Sequence, residues 1–506
     1  MGGGRDALAQ QPPQWGDMES GPHAVGFRVI RGYDHTRSYW PPVGYDGKRD
    51  TLETARPMQI SVWYPAADSV SRTRMAFGEH VALEGEALGL ERATPQRRAE
   101  AEQSLRRGPL NPYFPGGITD EQLRRVLATP AASIRDAAPA RGPFPLLIHL
   151  GSTVGQTVLL EYLASHGYVV ASIPVLGTAP VWFGRGEGTP EAHLASAADV
   201  GYILATVGAL PYADRSRAAV IGMLTAGGLL FQMQHQQLRA LAVLDGSYPE
   251  SLRRTPGFDL HAVRIPLLDM PQSGARPDRA MVDSMRYADR YLVRFDSVTH
   301  ADFYQFRRIA HPEHAAEHVS YRIIARYTLA FLDHALEQDS AAAKSLSGDP
   351  REAGAPRGFL TVEHRPAIQA APTAEEFLLL VRNGDIAEAR RAWMSYQESG
   401  AHRPLVEESP MTITLFFHRR DQGPANSLDA FRLLVEMFPD SWRAREHLAT
   451  TYQQANDVES ARDAYREALR LVRATPMPAA EREEHERRLE GLLAAEPSSQ
   501  TNPSSR

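Results

Sequence analysis

The chain has 506 residues, 43% of them hydrophobic and 23% charged, with 61 acidic against 55 basic side chains and no cysteine. That is length for roughly two to four domains, with the composition of a folded globular protein. A formal net charge of −6 argues against nucleic acid as a partner, because neutralising phosphates needs a basic face. The missing cysteines exclude disulfides, thiolate metal sites and a Cys nucleophile. No apolar run approaches the ~18 residues of a membrane-spanning helix, so none is expected.

Residues 1–20, rich in Gly, Gln and Pro, read as a disordered tail. Within it, Ala7-Leu8-Ala9 before Gln10 is similar to the small-residue cleavage site of a secretory signal, but residues 1–6 supply no apolar stretch. Two locations stay open: secreted or periplasmic after trimming, or cytoplasmic. Residues 25–30 and 58–64 read as half-buried strands, the second ending at Pro65. Residues 66–140 are charged and mostly helical in pattern, broken around Asn111-Pro112 and Pro115-Gly116-Gly117. They are expected to form an insertion, a candidate lid over a site.

From Pro145 the signal strengthens. Leu146-Leu147-Ile148-His149-Leu150 is an apolar run too short for a typical helix and reads as a buried strand. A helix at 158–166 follows, then a strand at 168–173, a helix near 195–210, a strand at 218–221 and a helix from Gly227. Strands at 241–244, 266–268 and 291–295 complete the series. Strands alternating with helices of this length imply βαβ units and a mostly parallel sheet, an α/β domain over 21–340.

Residues 341–370 are rich in Ala, Gly, Pro and Ser and read as a linker. Beyond it, over 371–495, the pattern is all-helical and repeats. Gly384-Asp385-Ile386-Ala387-Glu388-Ala389-Arg390 is echoed 72 residues later by Asn456-Asp457-Val458-Glu459-Ser460-Ala461-Arg462, about twice the ~34-residue tetratricopeptide period. The last unit resembles that family. Leu448, Ala449, Tyr452, Ala461, Tyr465 and Ala468 stand where it packs its two helices together, and Phe431, Leu434 and Pro439 fit one period earlier. The resemblance implies about three helical hairpins and a protein or peptide partner. Residues 496–506 read as a disordered tail.

Ligands of an open α/β sheet bind beyond the carboxyl ends of its strands. Three segments stand there: Gly151-Ser152, Asp245-Gly246-Ser247, and Thr299-His300-Ala301-Asp302-Phe303. A carboxylate followed later by a histidine, each at a strand end, gives the orienter and base of a nucleophilic triad in α/β-hydrolase order. The turn at Gly151 offers backbone N–H groups to an oxyanion.

With these residues, 21–340 resemble the α/β-hydrolase branch of dienelactone hydrolases and platelet-activating-factor acetylhydrolase. Matching stretches are Gly142-Pro143-Phe144-Pro145, Leu163-Ala164-Ser165-His166-Gly167-Tyr168, Leu244-Asp245-Gly246-Ser247 and Val298-Thr299-His300-Ala301-Asp302-Phe303. The resemblance makes Asp245 the triad acid and His300 the base. It implies hydrolysis of small carboxylic esters without a cofactor.

The nucleophile departs from the family. Its Gly-x-Ser-x-Gly-Gly elbow needs small residues two before and two after the serine. Here the strand runs into Gly222-Met223-Leu224-Thr225-Ala226-Gly227-Gly228. An apex at Leu224 has small neighbours at the required positions but no lone pair. An apex at Thr225 supplies a hydroxyl but sets Met223 where bulk clashes, and the extra methyl of Thr crowds the turn. The reading is an esterase-like protein with Leu224 at the serine position and Thr225 the adjacent hydroxyl; the alternative is a catalytically silent module that binds a ligand or a protein. Ser152 reads as an oxyanion-loop residue or helix cap, Ser247 as a turn cap, and Asp269 or Asp278 as the alternative acid. His314-Ala315-Ala316-Glu317-His318 matches the inverted zinc-peptidase pattern, but in the wrong fold context, so no metal is expected.

Overall fold

The short apolar runs lie side by side in one sheet. The computed structural model describes residues 12–39, 54–67, 73–84, 86, 90, 92–173, 175–176, 179–180, 189–246, 248–274, 279–368, 372–398 and 404–494. The chain divides at residue 368 into two compact units.

In the first unit, β1 (Ala24–Tyr39) and β2 (Thr54–Ala66) form an antiparallel pair, followed by α1 (Phe77–Glu84), α2 (Pro95–Arg107) and α3 (Asp120–Leu127). Then come β3 (Ser133–Arg135), β4 (Phe144–Leu150), α4 (Thr153–Ser165), β5 (Val169–Ser172), the small hairpin β6 (Val175–Leu176) and β7 (Ala179–Pro180), and α5 (Pro190–Val207). The series continues with β8 (Ala213–Gly222), α6 (Ala226–His235), β9 (Ala240–Leu244), α7 (Glu250–Arg253), β10 (Leu267–Met270), α8 (Arg279–Ser284) and β11 (Arg290–Phe295). It closes with α9 (Phe306–Ala310), α10 (Val319–Glu337), α11 (Ser340–Ser347) and β12 (Leu360–Arg365).

The sheet order is β12-β11-β10-β9-β8-β4-β5-β2-β1-β3. β5, β4, β8, β9, β10 and β11 run parallel, while β2 is antiparallel to both its neighbours. The side-chain period of two sends alternate residues to opposite faces. Leu147, Val170, Ala219 and Ala242 face a core built with α4 and α10, whereas Leu146, Ile148, Val169 and Val220 face one built with α5 and α6. Both faces are covered, which is why these strands read as continuous apolar runs. A mostly parallel mixed sheet in this order is an α/β-hydrolase-type fold, and an all-α region follows it.

That region comprises α12 (Ala374–Asn383), α13 (Ile386–Glu398), α14 (Glu408–Gln422), α15 (Pro424–Met437), α16 (Trp442–Gln454), α17 (Val458–Ala474) and α18 (Ala479–Ala494). It has its own core, around Phe377, Met411, Phe431 and Leu434 and around Ala449, Ala461, Tyr465 and Ala468.

Two expectations need correction. Residues 12–20 are packed, not disordered: Trp15 and Met18 are buried, and Arg308 donates to the Trp15 carbonyl at 2.8 Å. The stretch 341–370 is no linker, because α11 packs on α10 and β12 pairs antiparallel with β11. Within 66–140, the described residues are mostly helical, in α1, α2 and α3, with β3 as an edge strand parallel to β1. Residues 1–11 and 495–506 lie outside the described residues.

Candidate active site

β9 carries Asp245 to its carboxyl end, where the residue takes a left-handed backbone (φ +51°) and donates its N–H to the Met270 carbonyl at 2.8 Å. The carboxylate is nearly enclosed, with 4% of the side chain exposed. Its Oδ2 accepts from His300 Nδ1 at 2.6 Å and its Oδ1 from the Gln272 N–H at 2.7 Å. Gln272 also holds the other partner, its Oε1 accepting the His300 N–H at 3.1 Å.

His300 opens a short turn, His300–Phe303, beyond β11. Thr299 and Asp302 close it: the Asp302 carboxylate accepts from the Thr299 N–H at 2.8 Å and hydroxyl at 2.6 Å. Two glutamines fasten this turn to α4. Gln305 donates through Nε2 to the Val154 carbonyl at 2.7 Å and through its N–H to the Gly155 carbonyl at 3.0 Å. Gln156 donates to the Phe303 carbonyl at 3.1 Å. The His300 side chain stays 57% exposed, with the Tyr304 ring edge-on at 5.2 Å. With Nδ1–H assigned to Asp245 by this network, Nε2 is the free basic nitrogen, the arrangement of a general base.

The end of β8 is built differently. Gly222 has φ +133°, and a Cβ on it would lie 2.2 Å from the Leu150 carbonyl oxygen. A Cβ on Gly227 would lie 2.3 Å from Ser196 Cβ. Only glycine fits either place. The Met223 and Leu224 N–H groups both donate to Leu150 O, at 3.1 and 3.0 Å. Leu224 is half-buried against the α5–α6 side of the core. Thr225 is 1% exposed with φ −80°, and its hydroxyl lies close to Gly246. Left-handed backbone in this turn falls on Gly222, not on Leu224 or Thr225, so the strain that lifts an elbow nucleophile out of its sheet is missing.

At the end of β4, Gly151 is buried, and Ser152 caps α4, its hydroxyl accepting the Gly155 N–H at 3.1 Å. No hydrogen bond joins Ser152 or Thr225 to His300 among the described residues. Thus Asp245 and His300 are brought into contact, while Leu224, Thr225, Gly151 and Ser152 share the neighbouring strand ends. Asp269 lies within β10, buried, and accepts from Arg294 at 3.1 Å and from the Tyr248 hydroxyl at 3.4 Å. Burial pushes its carboxyl up. Ser247 and Asp278 lie outside the described residues.

Gln272, Gln305 and Gln156 carry no sequence motif. Behind them His149 is buried in β4, its Nδ1 2.8 Å from Ser172 Oγ and its Nε2 2.5 Å from Gln156 Oε1. Burial pulls this imidazole down to about 4. The segment with the zinc-peptidase-like pattern is not an α-helix. Pro312–Glu317 is a 3-10 turn, His314 is exposed against Glu317, and His318 is turned inward ahead of α10. A 3-10 turn does not stack residues four apart. No group of three His, Asp or Glu among the described residues is disposed to hold a metal ion.

Neither a family model nor a curated protein matches this chain. Among solved structures, it is similar to a ferulic acid esterase from Streptomyces cinnamoneus, with 18% identity and a TM-score of 0.43, over 63% of this chain and 92% of that one. Among the described residues no helix is long and apolar enough to cross a membrane.

Proposed function

We propose that the first unit is built on a carboxylic-ester hydrolase site of the dienelactone hydrolase and platelet-activating-factor acetylhydrolase type whose nucleophile position has been emptied. It binds a small ester or acyl ligand without an esterase's turnover. One observation carries this reading: a complete, braced Asp245–His300 pair accompanies an elbow occupied by Leu224. In an active site of this design, an elbow hydroxyl attacks the ester carbonyl and His300 Nε2 takes its proton. Asp245 holds the imidazolium, and N–H groups near Ser152 and after the elbow stabilise the oxyanion. Leucine has no electron pair for the first step.

The rival reading makes Thr225 the nucleophile, as the adjacent hydroxyl. Its near-complete burial weighs against it.

The insertion serves as a lid in this proposal. In support, Phe77, Leu105, Phe114 and Leu123 pack with Val154, Phe306 and Ile309, on the helix after Gly151 and the helix after His300. The helical unit acts as tetratricopeptide-like repeats that take a protein or peptide partner. Supporting this, Ala449, Ala461 and Ala468 are buried together with Tyr465.

The test is hydrolysis of a short activated ester by the chain as written, Leu224→Ser and Thr225→Ala. The expected result is activity in Leu224→Ser alone. Activity in the chain as written that Thr225→Ala abolishes would establish the rival.

A further inference from the structure

α14 is apolar on two faces. Met411 and Leu415 are buried in the core of the helical unit, while Ile413, Phe416 and Phe417 point outward, 53%, 40% and 43% exposed. A helix that covers a core with one face ordinarily carries polar residues on the other. Here three large apolar side chains at i, i+3 and i+4 form a stripe instead, and a contiguous exposed apolar stripe marks an interaction surface. One flank of it is braced: the His447 ring of α16 stands edge-on to Phe416 at 5.0 Å.

The charge around the stripe narrows the partner. Acidic side chains outnumber basic ones in the helical unit, yet guanidiniums gather here. Arg419 lies over Phe416 at 5.2 Å and Arg420 over Phe417 at 5.0 Å. Arg419 donates to the Thr451 hydroxyl at 3.0 Å and pairs with no carboxylate among the described residues. Arg420 pairs with Asp421 at 2.8 Å. The Arg420 guanidinium, and with it Arg382 at the end of α12, holds that carboxyl below its usual range. Three guanidiniums thus meet one carboxylate beside the stripe, and the positive charge left over suits an acidic partner. Three is short of the ~4–8 basic residues that draw a segment to anionic lipid, which favours a peptide over a membrane.

We propose that the α14 stripe docks an acidic peptide segment bearing large apolar side chains. These pack on Ile413, Phe416 and Phe417, while its carboxylates pair with Arg382, Arg419 and Arg420. The proposal rests on the reading of the helical unit as peptide-binding repeats and adds the face and the chemistry.

Fluorescence anisotropy of the full chain with three labelled synthetic peptides tests this. All share one spacing of Leu and Phe, and their remaining positions are Glu, Gln or Lys. The Glu peptide should bind saturably and at least tenfold tighter than the Gln peptide, with the Lys peptide unbound. Ile413→Ser with Phe417→Ser should weaken it at least tenfold. Arg382→Gln with Arg420→Gln should weaken it several-fold and flatten its salt dependence. All four positions are exposed, so both double variants spare the core. Equal binding of the Glu and Gln peptides would overturn the acidic partner and leave the peptide-binding reading standing; binding of none would overturn both. Self-association in sedimentation, or binding to phosphatidylserine vesicles, that replaces peptide binding and is lost in the serine double variant would give the face to another occupant and overturn the proposal.

Discussion

The ends of β8 and β9 lie side by side in one sheet and differ in what they keep. At β9, Asp245 is enclosed, left-handed and held by Met270, Gln272 and His300. At β8, Gly222 and Gly227 have the close neighbours that forbid a side chain, but Leu224 between them has no reactive atom and the Thr225 hydroxyl is buried. On the proposed reading, the turn keeps an elbow's sterics without its chemistry. If Asp245 and His300 are orienter and base, as proposed, they persist as packed structure, since Asp245 also ties two loops together. On the proposed reading the nucleophile position is one half-buried side chain in a turn, and replacing it disturbs little.

Four predictions sharpen or break this contrast. The largest effect should come from the base: whatever ester-cleaving rate Leu224→Ser acquires, adding His300→Ala should return it to the level of the chain as written, a loss of up to about 10³-fold. If the double variant keeps its rate, the pair is ornamental. Next is the steric frame. Gly222→Ala sets a Cβ against the Leu150 carbonyl in a left-handed backbone and should cost about 3 kcal/mol or more by chemical denaturation. Leu224→Ser, at a half-buried position, should cost about 1 kcal/mol.

The third concerns acid. His149 and His80 are pulled down by burial to about 4 and about 3. Both stay neutral when folded but bind protons when unfolded, so their stabilisation is complete above pH 6.5 and lost as pH falls toward 4. For His149 the loss is roughly 3 kcal/mol. His149→Gln should flatten that part of the stability–pH curve. Glu161 and Asp269, raised by burial, act in the opposite sense, so the comparison between chain and variant isolates the histidine. The smallest effect is at Gln272. Gln272→Ala removes one acceptor from the His300 N–H while leaving the backbone donor to Asp245. It should broaden the low-field Nδ1–H proton resonance of His300 without measurable loss of stability.

Legibility in the sequence followed the physics of each feature. The strand at Leu146–Leu150 was readable because both its faces are buried, and Asp245 and His300 because they follow apolar runs. β12 was missed: Leu360-Thr361-Val362-Glu363 is an edge strand, mostly solvated, inside a segment whose Gly and Pro content suggests a linker. Trp15 was missed because one buried aromatic in a Gly- and Pro-rich stretch leaves no periodicity. Gln272, Gln305 and Gln156 were invisible for another reason. An amide bracing a loop across more than 20 positions of sequence depends on tertiary placement, and no spacing rule announces it.

The most direct test of an acid–base pair without a nucleophile is covalent labelling. The full chain and Leu224→Ser are treated with an organophosphonate that reacts with activated hydroxyls, then read by intact and peptide mass spectrometry. The account expects no adduct on the chain as written and a single adduct at position 224 in Leu224→Ser. An adduct at Thr225 in the chain as written would contradict it.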